Sequence, residues 1–150
     1  MLYLVPIIVF IAFIVGYLIK KYNSEEKELQ NKYYIYFEKF TLFLLIITII
    51  ITSYSSSYWF YIFLITGIVL GYFFKESSLY VGLSLLTFNM YISIFACLYN
   101  IVIGNKYLIK NLILFFIPFL LLLFSQDWNS LVVLSAGAML PKLFYNLKSM

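Results

Sequence analysis

Leu2 to Ile19 contains no charged side chain, and the run stops on Lys20 and Lys21. A helix rises about 1.5 Å per residue and a bilayer core is about 30 Å thick, so roughly 17 to 25 apolar residues make one crossing. Comparable uncharged runs follow along the chain. Phe40 to Thr52 becomes long enough when the aromatic stretch Tyr33 to Phe37 leads into it and Ser53 to Ser55 close it. Trp59 to Phe74, Leu79 to Ile103, Tyr107 to Phe124 and Leu131 to about Leu147 complete the set. Six runs predict an all-α integral membrane protein, a compact bundle of six transmembrane helices forming one polytopic domain over residues 1–150. Composition agrees, because 65% of the residues are hydrophobic and 11% charged, against about half and about a quarter in soluble domains. The last run is the exception to the pattern, since Pro141 and Lys142 interrupt it. Five spans plus a C-terminal half-span or interfacial helix is the alternative.

Lysine placement sets the expected orientation. No charged side chain precedes the first run, and Lys20 and Lys21 follow it directly, so the positive-inside rule puts the N-terminus outside and the first loop in the cytoplasm. The same run reads as an anchor rather than a cleavable leader, because it lacks a basic n-region. With six spans, Lys20, Lys21, Lys27, Lys32, Lys39 and Lys75 fall inside, while Lys106, Lys110, Lys142 and Lys148 fall outside. With five, Lys142 and Lys148 move inside. Charge favours five crossings and hydropathy favours six.

The stretch Lys20 to Lys39 holds five Lys and four Glu, too balanced for a polybasic lipid clamp. Asn23 with Glu26 is spaced as a capping pair, and Glu28 with Lys32 as an i,i+4 ion pair. Leu29, Tyr33, Tyr36, Phe37 and Phe40 recur on one helical face, which predicts an amphipathic helix over 25–39 at the cytoplasmic interface or leading through it into the second span. Two readings stand, a solvated elbow with anchoring aromatics and a docking surface for a soluble partner. The Tyr54 to Trp59 segment, small hydroxyls flanked by aromatics, reads as the turn on the outer side.

Lipid gives helices no hydrophobic drive to associate, so close packing falls to small residues. Gly67 and Gly71 form a GxxxG in the third span, and Ala12 with Gly16 a weaker pair in the first. Packing within the bundle and contact with another subunit are both compatible with them. Ser135 to Ala138, followed by Pro141, fits a close approach and then a bend in the last helix, and equally a broken helix around a solute. In the fourth span Gly82, Asn89, Ser93, Ala96, Cys97, Asn100 and Gly104 fall nearly on one face. An amide in hydrocarbon needs partners, so Asn89, Ser93 and Asn100 are expected to point inward, as interhelical glue or as the lining of a polar pathway. Cys97 reads as a small buried side chain.

The absences are equally restrictive. The chain has no His and no Arg, and Cys97 is its single cysteine. That removes imidazole acid/base chemistry, bidentate phosphate or nucleic-acid clamps, disulfides and cysteine-rich metal sites. All six acids, Glu25, Glu26, Glu28, Glu38, Glu76 and Asp127, lie outside the apolar runs, which disfavours proton-coupled pumping and an aspartyl intramembrane protease. The sequence therefore predicts no catalytic, cofactor-binding or metal-binding residues and no nucleic-acid partner. It predicts a non-enzymatic subunit or accessory component of a larger membrane assembly, its partners being the bilayer, other membrane subunits or copies of itself. The alternative is a channel or carrier for a small neutral or lipid-like solute lined by the fourth span.

Overall fold

The computed structural model describes residues 5–22, 27–74, 77–87, 89–103, 108–120 and 128–145, and every regular element among them is helical. From Lys27 onward the charged stretch and the second run form a single helix, while the expected Asn23–Glu26 capping pair lies outside the described residues. α2 runs unbroken over Lys27–Ser53 after α1 at Val5–Tyr22, so the amphipathic stretch leads directly into the span. Its inward stripe is Thr41, Leu42, Leu45, Ile46 and Ile49, the i, i+4, i+8 spacing of one helical face. Tyr33, Tyr36, Phe37 and Phe40 stay on the outside. Residues 54–57 then turn the chain, with the Ser57 amide donating to the Ser55 hydroxyl at 3.2 Å, and α3 follows at Tyr58–Phe73. Among the described residues one stretch, Ile35–Ser53 of α2, suffices by length and composition to cross a membrane; Ile7–Ile19, Tyr58–Phe73, Ser77–Thr87 and Met90–Val102 are apolar but shorter.

The fourth run departs from the single helix expected over Leu79 to Ile103. It is divided into α4 at Ser77–Ser84, a 3-10 turn at Leu85–Thr87 and α5 at Met90–Ile103. Asn89 supplies a local reason for the restart. Its side-chain carbonyl accepts the backbone N–H of Tyr91 at 2.9 Å and that of Ile92 at 3.5 Å. Those are the orphan donors at the second and third positions of a helix, so Asn89 is the N-cap of α5. Expected as a mid-span amide, it instead begins a helix.

The break also reverses the chain. Ser77 at the start of α4 and Tyr99 near the end of α5 are neighbours, whereas one straight helix would hold them about 33 Å apart. Two further contacts fix the direction of α6, Leu108–Leu120. Ser78 donates to the Asn111 carbonyl oxygen at 2.9 Å, and Gly82 lies against Phe115 and Pro118, so α6 runs parallel to α4. α1 runs parallel to α5, because Gly16 abuts Asn100 and Ile101 and the buried residues of both helices precede that contact in sequence. α7, Trp128–Tyr145, is antiparallel to α2. Glu38 meets Lys142, and from that point the core of α2 lies later in sequence and the core of α7 earlier.

One end of the bundle therefore gathers the last turn of α1, the early part of α2, the end of α3, the start of α4, the end of α5, the start of α6 and the end of α7. We refer to it as the lysine end. At the centre sits α4, in which Ser77, Ser78 and Tyr80 to Ser84 are all buried; a helix covered all round is an interior element. α7 packs most extensively on α3.

Candidate functional site: a polar cluster at the lysine end

The α3–α7 crossing is built from glycine. A Cβ at Gly67 would strike the Leu134 carbonyl oxygen and approach the Ala138 nitrogen to 3.0 Å; one at Gly71 would meet Ala138, with its Cα at 2.9 Å. Gly137 faces back the same way, and a Cβ there would lie 3.1 Å from the Gly67 Cα. Backbone thus lies on backbone, the close approach that small residues permit. Gly67 and Gly71 pack against α7 of the same chain, and Gly16 holds α1 against α5 in the same manner.

Below this crossing the polar side chains converge. Lys142 of α7 donates to the Tyr99 phenol oxygen of α5 at 2.9 Å and lies 3.2 Å from the Glu38 carboxylate of α2. Ser77 of α4 completes the surroundings of the phenol, and Tyr99 is fully buried. One ammonium group therefore ties α2, α5 and α7, and the phenol extends the tie to α4. Beside it the buried Ser78–Asn111 bond links α4 to α6. The Tyr80 hydroxyl donates towards the Phe74 carbonyl at 2.8 Å and the Leu70 carbonyl at 3.2 Å, closing the end of α3, where the Leu70 carbonyl also accepts the Phe74 N–H at 2.8 Å.

Of the polar stripe expected along the fourth span, Asn89 is the cap of α5, and Ser93 turns its hydroxyl back onto the Asn89 carbonyl at 2.7 Å. Asn100 is buried beside the Gly16 contact, with its amide nitrogen lacking a hydrogen-bond partner. Thr87, in the 3-10 turn, likewise keeps a buried hydroxyl without a partner. Cys97 is half-buried, and Gly104 lies outside the described residues. Sequence reasoning misses Glu38, Ser77, Ser78, Tyr99, Asn111 and Lys142 as a group. One signal was available: a lysine inside an apolar helix needs a counter-charge or an exit to water.

These roles separate the two asparagines. Asn89→Leu deletes the cap and is expected to cost about 1 kcal/mol, whereas Asn89→Asp keeps an acceptor and most of the stability. Asn100→Leu removes an unpaired buried donor and is expected to leave stability unchanged or slightly raised. Thermal melts of the detergent-solubilised variants check both, and equal losses at the two positions contradict this assignment.

Among the described residues no three His, Cys, Asp or Glu side chains gather into a metal-binding group. The cluster's chemistry is one cation neutralised by one carboxylate, with a phenol and hydroxyls completing the bonding. That arrangement can join helices, and it presents no activated nucleophile. Comparison with protein-family models, with curated proteins and with solved structures finds no match for this chain.

Proposed function

We propose that this chain is a small multi-pass membrane protein acting without catalysis, as a subunit or accessory component of a larger membrane assembly, with the N-terminal end of α1 outside and the Lys20–Lys39 stretch in the cytoplasm. The observation that carries the reading is α3. Glycines along one edge hold it to α7, while Tyr58, Trp59, Ile65, Val69, Tyr72 and Phe73 on the remaining circumference are at least half exposed. In water such a surface would aggregate; in a bilayer it is free to meet lipid or the helices of a partner. The interior supports the same reading, since most of its polar side chains are bonded within the bundle, either to one another or to backbone carbonyls of their own helix.

The alternative is a carrier or channel for a small neutral or lipid-like solute. It is favoured by one observation, the broken α4–α5 element with unpartnered polar atoms on Thr87 and Asn100. Purification of the tagged chain from its native membrane under mild detergent separates the two. A stoichiometric membrane protein co-isolating with the chain, and lost in a Trp59→Ala/Tyr72→Ala variant, is the expected result. Isolation of the chain alone, together with solute flux in liposomes, overturns the subunit reading in favour of the carrier. The exposed aromatics of α2, Tyr33, Tyr36, Phe37 and Phe40, offer a second contact face for a soluble partner at the cytoplasmic interface.

A further inference from the structure

Resting on the multi-pass reading above, we infer that α4 and α5 form a re-entrant hairpin that enters the bilayer from the cytoplasmic side and returns to it, so that the chain crosses five times, by α1, α2, α3, α6 and α7. Three independent contacts carry this. The Ser77–Tyr99 neighbourhood closes the open end of the hairpin. Next, the parallel run of α4 and α6, through Ser78–Asn111 and Gly82–Phe115, requires α6 to start where α4 starts. Finally the Glu38–Lys142 pair brings the end of α7 to the level at which the apolar part of α2, Ile35–Ser53, begins. Each arm is also short. Ser77–Thr87 and Met90–Ile103 are about 17 and 21 Å long, half to two-thirds of a hydrocarbon core of about 30 Å.

Backbone that leaves helical geometry at membrane depth is tolerated only where protein covers it or where it lines a cavity. The tip meets that condition. Leu85 and Leu86 are buried, α7 packs against this turn, and Asn89 satisfies two amides of the returning arm.

The charge distribution supports the hairpin without having been used to build it. Six crossings divide the ten lysines six against four, and five crossings counted without a re-entrant segment divide them eight against two. With the hairpin, the segments bearing Lys20, Lys21, Lys27, Lys32, Lys39, Lys75, Lys106, Lys110, Lys142 and Lys148 all fall on one side. Asp127 alone among the charged residues is assigned to the other. The bias of short loops towards cytoplasmic lysine is the strongest sequence correlate of membrane orientation, and this arrangement satisfies it completely.

Single cysteines at Asn23, Ser56, Asn105, Gln126 and Asn146, each in a Cys97→Ser background, are labelled with a membrane-impermeant maleimide in right-side-out and inverted vesicles. The expected result is that positions 23, 105 and 146 label from one side and positions 56 and 126 from the other. Six full crossings give a different pattern, with 105 and 146 joining 56 while 126 joins 23. Either 105 or 146 labelling from the side of 56 overturns the hairpin. If alkaline carbonate releases the protein, or if all five positions label from one side, the multi-pass reading itself fails. Labelling of position 23 in right-side-out vesicles, with the same grouping, reverses the orientation and leaves the hairpin standing.

Discussion

Gly67→Ala is expected to lower the melting temperature of the solubilised protein, although glycine to alanine at an unobstructed helical position stabilises by about 1 kcal/mol. The sign reverses because the new methyl group points at the Leu134 carbonyl oxygen and the Ala138 nitrogen of α7. Neither belongs to a side chain that can rotate away, so the helices must separate and give up the contacts along the crossing. Inserting atoms into a packed interior costs about 1–3 kcal/mol when neighbours can adjust, and occasionally more. Backbone neighbours place Gly67→Ala near about 3 kcal/mol and Gly67→Leu beyond it. Gly71→Ala and Gly137→Ala are expected to behave alike, since all three glycines serve one crossing, and their losses combine less than additively. Val69→Ala, on the exposed side of the same helix, is the control and should change stability by no more than about 0.5 kcal/mol. Equal melting of Gly67→Ala and Val69→Ala would show that the glycine edge of α3 faces lipid.

Two of the three parts of that crossing are legible in sequence. Gly67 with Gly71, and Ser135 to Ala138, are small-residue clusters in otherwise bulky apolar runs, and close backbone approach is the physical use such clusters have in lipid. Their meeting is not legible, because a hydrophobic helix carries no information about which neighbour its small face will find. Direction is equally hidden. That α3 and α7 share a crossing follows from how many times the chain has turned between them, and the count depends on the break in the fourth run.

That break illustrates a limit of hydropathy. Residues 77–103 are continuously uncharged, and a transfer scale cannot distinguish one helix of that length from two shorter ones joined by a turn. The polar stripe was misleading for a related reason. Asn89, Ser93 and Asn100 retain helical spacing, but Asn89 stands at the first position where helix begins again, so the stripe describes α5 and its cap and not a face continuous with Gly82. Charge bears on the proposed topology: no count of full crossings alone would bring Lys75, Lys106 and Lys148 together on one side, while the re-entrant segment inferred above would.

The cluster at the lysine end gives the second large effect. Lys142→Met keeps the length of the side chain and removes its charge, leaving Glu38 without a counter-ion and the Tyr99 phenol without its donor. Exposed ion pairs contribute at most about 1 kcal/mol, whereas breaking a fully buried pair costs about 3–5 kcal/mol. The side chains of Lys142 and Glu38 are 31% and 25% exposed, and the expected loss lies between these limits, near about 2 kcal/mol. Glu38→Gln should cost less, because Tyr99 still accepts from the ammonium group. The double variant removes both charges together and should lose clearly less than the two single losses combined, with a coupling energy of about 1 kcal/mol, readable from the four melting curves. Tyr99→Phe tests the remaining branch. It leaves Glu38 and Lys142 in contact but strips a hydrogen bond at a fully buried position, for an expected loss of about 1 kcal/mol. Zero coupling between Glu38 and Lys142 would make them a solvated pair at the rim. A Tyr99→Phe loss larger than that of Lys142→Met would move the centre of the tie from the ammonium group to the phenol, and with it the main link from α5 to its neighbours from Lys142 to Ser77.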